Sequence, residues 1–112
     1  MKCTCEQYGQ IAIVTIKGEV TIDHVDQFQN VIEQHVGRQA RDFVVDMSAV
    51  EFVDSAGLEA MIGLQDRCSD VLGQVRLVGV GRNVEEILRI TRLGPRFDKH
   101  ESVDLAIKSL QV

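Results

Sequence analysis

The stretch Glu51-Phe-Val-Asp-Ser-Ala-Gly-Leu-Glu-Ala-Met61 decides how this chain is read. It joins an apolar strand to a helix, and it sets a small polar residue, Ser55, between Asp54 and Gly57. Serine at such a junction has an ordinary use. Its hydroxyl can accept a hydrogen bond from an early helix amide, which is worth about 1 kcal/mol. Three neighbours point past that use. Gly57, inside the first helical turn, costs up to about 1 kcal/mol of helix propensity and leaves the backbone open to another molecule. Ala56 is also small. Glu51, Asp54 and Glu59 surround the serine with negative charge.

Upstream, Phe43-Val44-Val45 lacks alternation and reads as a central strand buried on both faces. Asp46 closes that strand. Its carboxylate is expected to accept amides of the following segment and so order the loop that leads to Ser55. Downstream, Leu58, Met61, Leu64, Cys68 and Leu72 form a helical stripe.

Further out, the chain alternates strands and helices. Residues 3–9 and 11–18 read as a hairpin turning at Gly9-Gln10. Residues 23–37 read as a helix on Val25, Phe28, Val31, Ile32 and Val36, with Thr21 or Asp23 capping it. Residues 74–80 read as a strand, and 83–95 as a helix capped by Asn83 and stopped at Gly94-Pro95. A short extended segment and a helix over 102–112 finish the pattern. Strands alternating with helices predict an α/β sandwich. Its sheet is mixed, mainly parallel, of four to five strands with an antiparallel hairpin at the start, packed on about four helices.

The totals narrow the function. The 112 residues fit one domain, residues 1–112, and 45% apolar content suits a folded core. A net charge of -5 and the lack of tryptophan disfavour nucleic acid and anionic membranes as partners. No apolar run is long enough to insert in a membrane, and no leader is evident, so the expected location is cytoplasmic. The three cysteines are expected as free thiols. Cys3 and Cys5 lack companion ligands for zinc, so no metal and no cofactor are expected. No histidine is placed to activate Ser55, so no catalytic residue is assigned and the chain is expected not to be an enzyme. Gly79-Val-Gly-Arg-Asn83 is a broken dinucleotide fingerprint, better read as a turn.

Val44 to Leu64, "VVDMSAVEFVDSAGLEAMIGL", resembles the central segment of STAS-domain proteins, above all the bacterial anti-sigma factor antagonists. Asp46, Met47, Ser48, Phe52, Asp54, Ser55, Gly57 and Leu58 carry the match, and Lys17-Gly-Glu-Val20 resembles the family's segment after the second strand. The resemblance implies a protein that binds a serine-kinase anti-sigma factor. It implies phosphorylation of Ser55 by that kinase and reversal by a PP2C-type phosphatase. The partner face would comprise Thr21, Asp23, Asp54, Ser55, Ala56, Gly57 and Glu59. Thr21 stands where many such antagonists have an acid. Single-domain STAS subunits of ABC-type lipid transporters, which dock on an ATPase, are the alternative. A monomer is expected for the chain alone.

Overall fold

The computed structural model describes residues 1–111. Five strands are hydrogen-bonded in chain order: β1 (Lys2–Tyr8), β2 (Ile11–Val20), β3 (Asp42–Val53), β4 (Val75–Val78) and β5 (Asp98–His100). The first pair is antiparallel and every later pair is parallel, as the alternating pattern predicts. Gly9, at φ 60°, takes the first central position of the two-residue β1–β2 turn, a conformation glycine adopts without steric cost.

Four helices complete the sandwich: α1 (Val25–Val36), α2 (Ser55–Ser69), α3 (Arg82–Ile90) and α4 (Val103–Leu110). The expected last helix includes Val112, which lies outside the described residues. The main core combines Ala12, Val14 and Ile16 of β2 with Phe28, Leu58, Leu64, Val84 and Leu88. A smaller core on the opposite sheet face joins Val44 and Val78 to Ala106 of α4. Thus β2 alternates strictly, but through Ala12, Val14 and Ile16, with Ile11 and Ile13 on the other face. Phe43, Val44 and Val45 are buried on both faces, as expected of a central strand.

Five local expectations are corrected. Neither Thr21 nor Asp23 caps α1, because a 3-10 turn, Ile22–His24, intervenes with Thr21 at its start, and His24 is the N-cap of α1. The third helix ends at Ile90, and Gly94–Arg96 forms a separate 3-10 turn. The segment after Asp46 is strand, not loop, because β3 continues to Val53 beside β2. Thr15 pairs with Asp46 and Lys17 with Ala49, so β3 carries an extra residue there, and the register shifts again between Gly18 and Glu19. Such bulges keep a long strand paired while bending it. Asn83 does not cap α3. Gly81 is the N-cap and supplies no side chain. Leu72 lies beyond the end of α2 at φ 61° and is 84% exposed, so the apolar stripe ends at Cys68.

Candidate functional site

Ser55 is the first residue of α2 and is exposed. It does not cap the helix. Asp54 does, with Oδ1 accepting the Gly57 amide at 2.8 Å. Its Oδ2 accepts the Ile22 amide at 3.0 Å. One carboxylate therefore satisfies the helix start and clamps it to the 3-10 turn Ile22–His24 that follows β2. The Val20 carbonyl accepts the Asp54 amide at 3.1 Å and closes the junction from the other side. These backbone donors, that of Gly57 foremost, hold the Asp54 carboxyl below its ordinary range. With the cap in place, the Ser55 hydroxyl has no hydrogen-bonding duty among the described residues.

The turn has its own brace. Thr21 donates its amide to His24 Nδ1 at 3.3 Å and accepts the His24 amide on its carbonyl at 2.9 Å. Asp23 is exposed on the same turn. The clamp thus brings the Thr21–Asp23 turn and the Asp54–Glu59 turn, distant in sequence, onto one end of the molecule. Glu59 is exposed one helical turn after Ser55. Ala56 is half-buried.

Gly57 departs from its expected role. It is buried, and a Cβ there would lie 2.8 Å from Val53 Cγ1 and closer still to the Val20 carbonyl oxygen. The missing side chain makes room for the chain's own backbone, not for another molecule. Asp46 acts locally: its Oδ1 accepts the Ser48 amide at 3.0 Å and the Ser48 hydroxyl, holding the bulge of β3.

Ile22 escapes sequence reasoning, while Phe52 was already among the residues that carry the family resemblance. Ile22 is 69% exposed and donates its amide to Asp54, whereas Phe52 is 44% exposed on β3, two residues before Asp54. Ile22, in the open on the turn that Asp54 ties to the start of α2, adds an apolar group to the end that carries Ser55, a combination suited to protein contact. Ile22, set in the polar run Thr21–His24, was the available signal.

Among the described residues no cluster of three acidic, cysteine or histidine side chains could hold a metal ion. Among the same residues no helix is long and apolar enough to cross a membrane. Cys3, Cys5 and Cys68 are free thiols, and burial pushes Cys5 up to about 11 and Cys68 to about 12.

The model of the STAS domain matches residues 2–106. A protein of Bordetella bronchiseptica named as a candidate anti-sigma factor antagonist, BtrV, is 23% identical over 97% of both chains. A Thermotoga maritima structure described as a candidate anti-sigma factor antagonist superposes at a TM-score of 0.89, with 18% identity over 98% of this chain and 95% of that one. SpoIIAA in its unphosphorylated form gives 0.86 with 18% identity over 98% and 96%. The phosphorylated form of SpoIIAA, a Bacillus cell fate determinant, gives 0.76 with 17% identity over 96% and 98%.

Proposed function

This chain belongs to the STAS domain family, and from that premise we propose that it is an anti-sigma factor antagonist switched by phosphorylation of Ser55. Unphosphorylated, it binds a serine-kinase anti-sigma factor through the Thr21–Asp23 turn, the start of α2 and the exposed Ile22 and Phe52. The kinase then phosphorylates Ser55 and releases itself, and a PP2C-type phosphatase resets the chain. The protein performs no chemistry. ATP and metal belong to the partners, and all three act in the cytoplasm.

The observation that carries this reading is the division of labour between Asp54 and Ser55. Asp54 caps α2, so Ser55 can gain a phosphate without the helix losing its cap. The names of BtrV and of the two SpoIIAA forms support the same reading.

The electrostatics favour an off-switch. A phosphate adds about -1.5 to -2 charges at neutral pH. The helix dipole offsets only about half a charge. The cap amide of Gly57 is already taken by Asp54, so the phosphate gains little local neutralisation. A partner surface fitted to a neutral hydroxyl would then bury an unpaired dianion, at a cost of about several kcal/mol.

Incubation with the cognate kinase and ATP tests the assignment. Mass mapping should place one phosphate on Ser55, and Ser55→Ala should take up none while still binding the kinase. Stoichiometric phosphate on Ser55→Ala would overturn it. So would equal kinase affinity of Ser55→Ala and Ser55→Glu, the behaviour of a constitutive docking subunit.

A further inference from the structure

The sheet has two free edges, and they are built differently. β5 is three residues long and includes Asp98 and Lys99, both features that discourage another strand from pairing. β1 has seven residues, no proline and no bulge. Its register with β2 runs unbroken from Lys2–Lys17 to Tyr8–Ile11. In a two-residue hairpin, the flanking pair, here Tyr8 and Ile11, is hydrogen-bonded. Alternation then turns the amides of Lys2, Thr4, Glu6 and Tyr8 toward β2, and those of Cys3, Cys5 and Gln7 outward. Among the described residues no backbone group beyond β2 bonds to these three.

The side chains along this edge are self-complementary. Lys2, Thr4 and Glu6 lie exposed on one face of β1. When the strand is set antiparallel to its own copy about a two-fold at Thr4, Lys2 faces Glu6 of the second copy, twice by symmetry. Thr4 faces Thr4, another favourable cross-strand pair. Cys3 and Cys5 then exchange about four backbone hydrogen bonds across the two-fold. Moving the two-fold to Cys5 sets Lys2 against Tyr8 and loses both charge pairs.

We propose that β1 is a self-association edge, pairing with β1 of a second copy of this chain to join two five-stranded sheets into one. The contact is isologous and closes on itself, in place of the monomer that the sequence leads one to expect. A single strand pair forms a small interface, so the association is weak. It is separate from the Ser55 surface: β1 packs on β2 and α1, whereas Ser55 opens α2.

Sedimentation equilibrium on the intact chain, up to about 1 mM, tests the proposal. The native chain should show a reversible dimer. Lys2→Glu and Glu6→Lys, alone, each place like charges opposite and should weaken it roughly tenfold. An equimolar mixture of the two single variants, and the double variant Lys2→Glu/Glu6→Lys, should regain it. Cys5→Pro removes an outward N–H that β2 does not use and should abolish it, with circular dichroism reporting that the fold is kept. A native chain that stays monomeric over the whole range overturns the proposal. So does self-association that the single charge variants leave unchanged. Either result leaves the phosphorylation of Ser55 untouched.

Discussion

Gly57→Ala separates a packing glycine from an interface glycine. In a helix, alanine is favoured over glycine by up to about 1 kcal/mol, so propensity alone predicts stabilisation. The surroundings oppose it. The new Cβ would lie 2.8 Å from Val53 Cγ1 and closer to the Val20 carbonyl oxygen. Val53 could turn its side chain, but the carbonyl cannot move freely, because it accepts the Asp54 amide at 3.1 Å. The first turn of α2 would have to shift instead. Overpacking of this kind costs about 1–3 kcal/mol, and a backbone obstacle places it at the upper end. The net loss after propensity is about 2 kcal/mol, which lowers Tm by about 8 °C in a domain of this size. Gly63 on the same helix is the control, because a Cβ there meets nothing within 4 Å. Gly63→Ala should stabilise by about 0.5–1 kcal/mol. Urea unfolding and calorimetry of the two single variants measure both values. A Gly57→Ala variant as stable as the native chain, or two variants that shift in the same direction, would show that Gly57 is not a packing glycine.

Other variants probe the remaining joints. Asp54→Asn keeps the shape but removes the charge, and should speed amide exchange at Gly57 and Ile22. Because folding lowers the Asp54 pKa, its contribution is present above its ordinary value of 3.8 and is lost as pH falls through the folded value. The variant should therefore lose stability at neutral pH and show a flatter acid limb in pH-dependent urea unfolding. His35 is buried, with Nδ1 2.9 Å from Gln7 Oε1, and burial together with Arg38 lowers its pKa. A histidine kept neutral by folding adds no penalty above its ordinary value of 6.5, and stability drops as pH falls below that. His35→Asn should remove this limb, and NMR titration of the ring should give a value below 6.5. Gly79→Ala should destabilise by about 1–3 kcal/mol, since φ is 66° and a Cβ would lie 2.6 Å from Ser48 Oγ.

The order of elements was legible because each signal was local. Helical spacing fixed α1 and α2, β-branched runs fixed β2 and β3, and Gly9-Gln10 announced the hairpin. What escaped depended on pairing across the chain. That β3 runs on to Val53 is decided by β2 beside it, not by residues 47–53, whose polar members look like a loop. Asp54 and Ser55 are both good cap residues, and the backbone of Val20 and Ile22, more than 30 positions away, favours Asp54. The carbonyl that fills the space beside Gly57 belongs to Val20, so no local pattern could reveal it. His35 was hidden for the same reason, since its partner Gln7 lies on β1. Within the candidate site, Ser55 was visible as an exposed junction residue. Ile22 joins the site only through the clamp at Asp54, which ties its turn to the start of α2.

The most direct test compares the affinity of the serine-kinase anti-sigma factor for this chain with a free Ser55 and with a phosphate on Ser55, by titration calorimetry in the same buffer. The phosphate should lower the affinity by about a hundredfold or more, with circular dichroism and Tm showing the fold intact. Equal affinity for the two forms would contradict it.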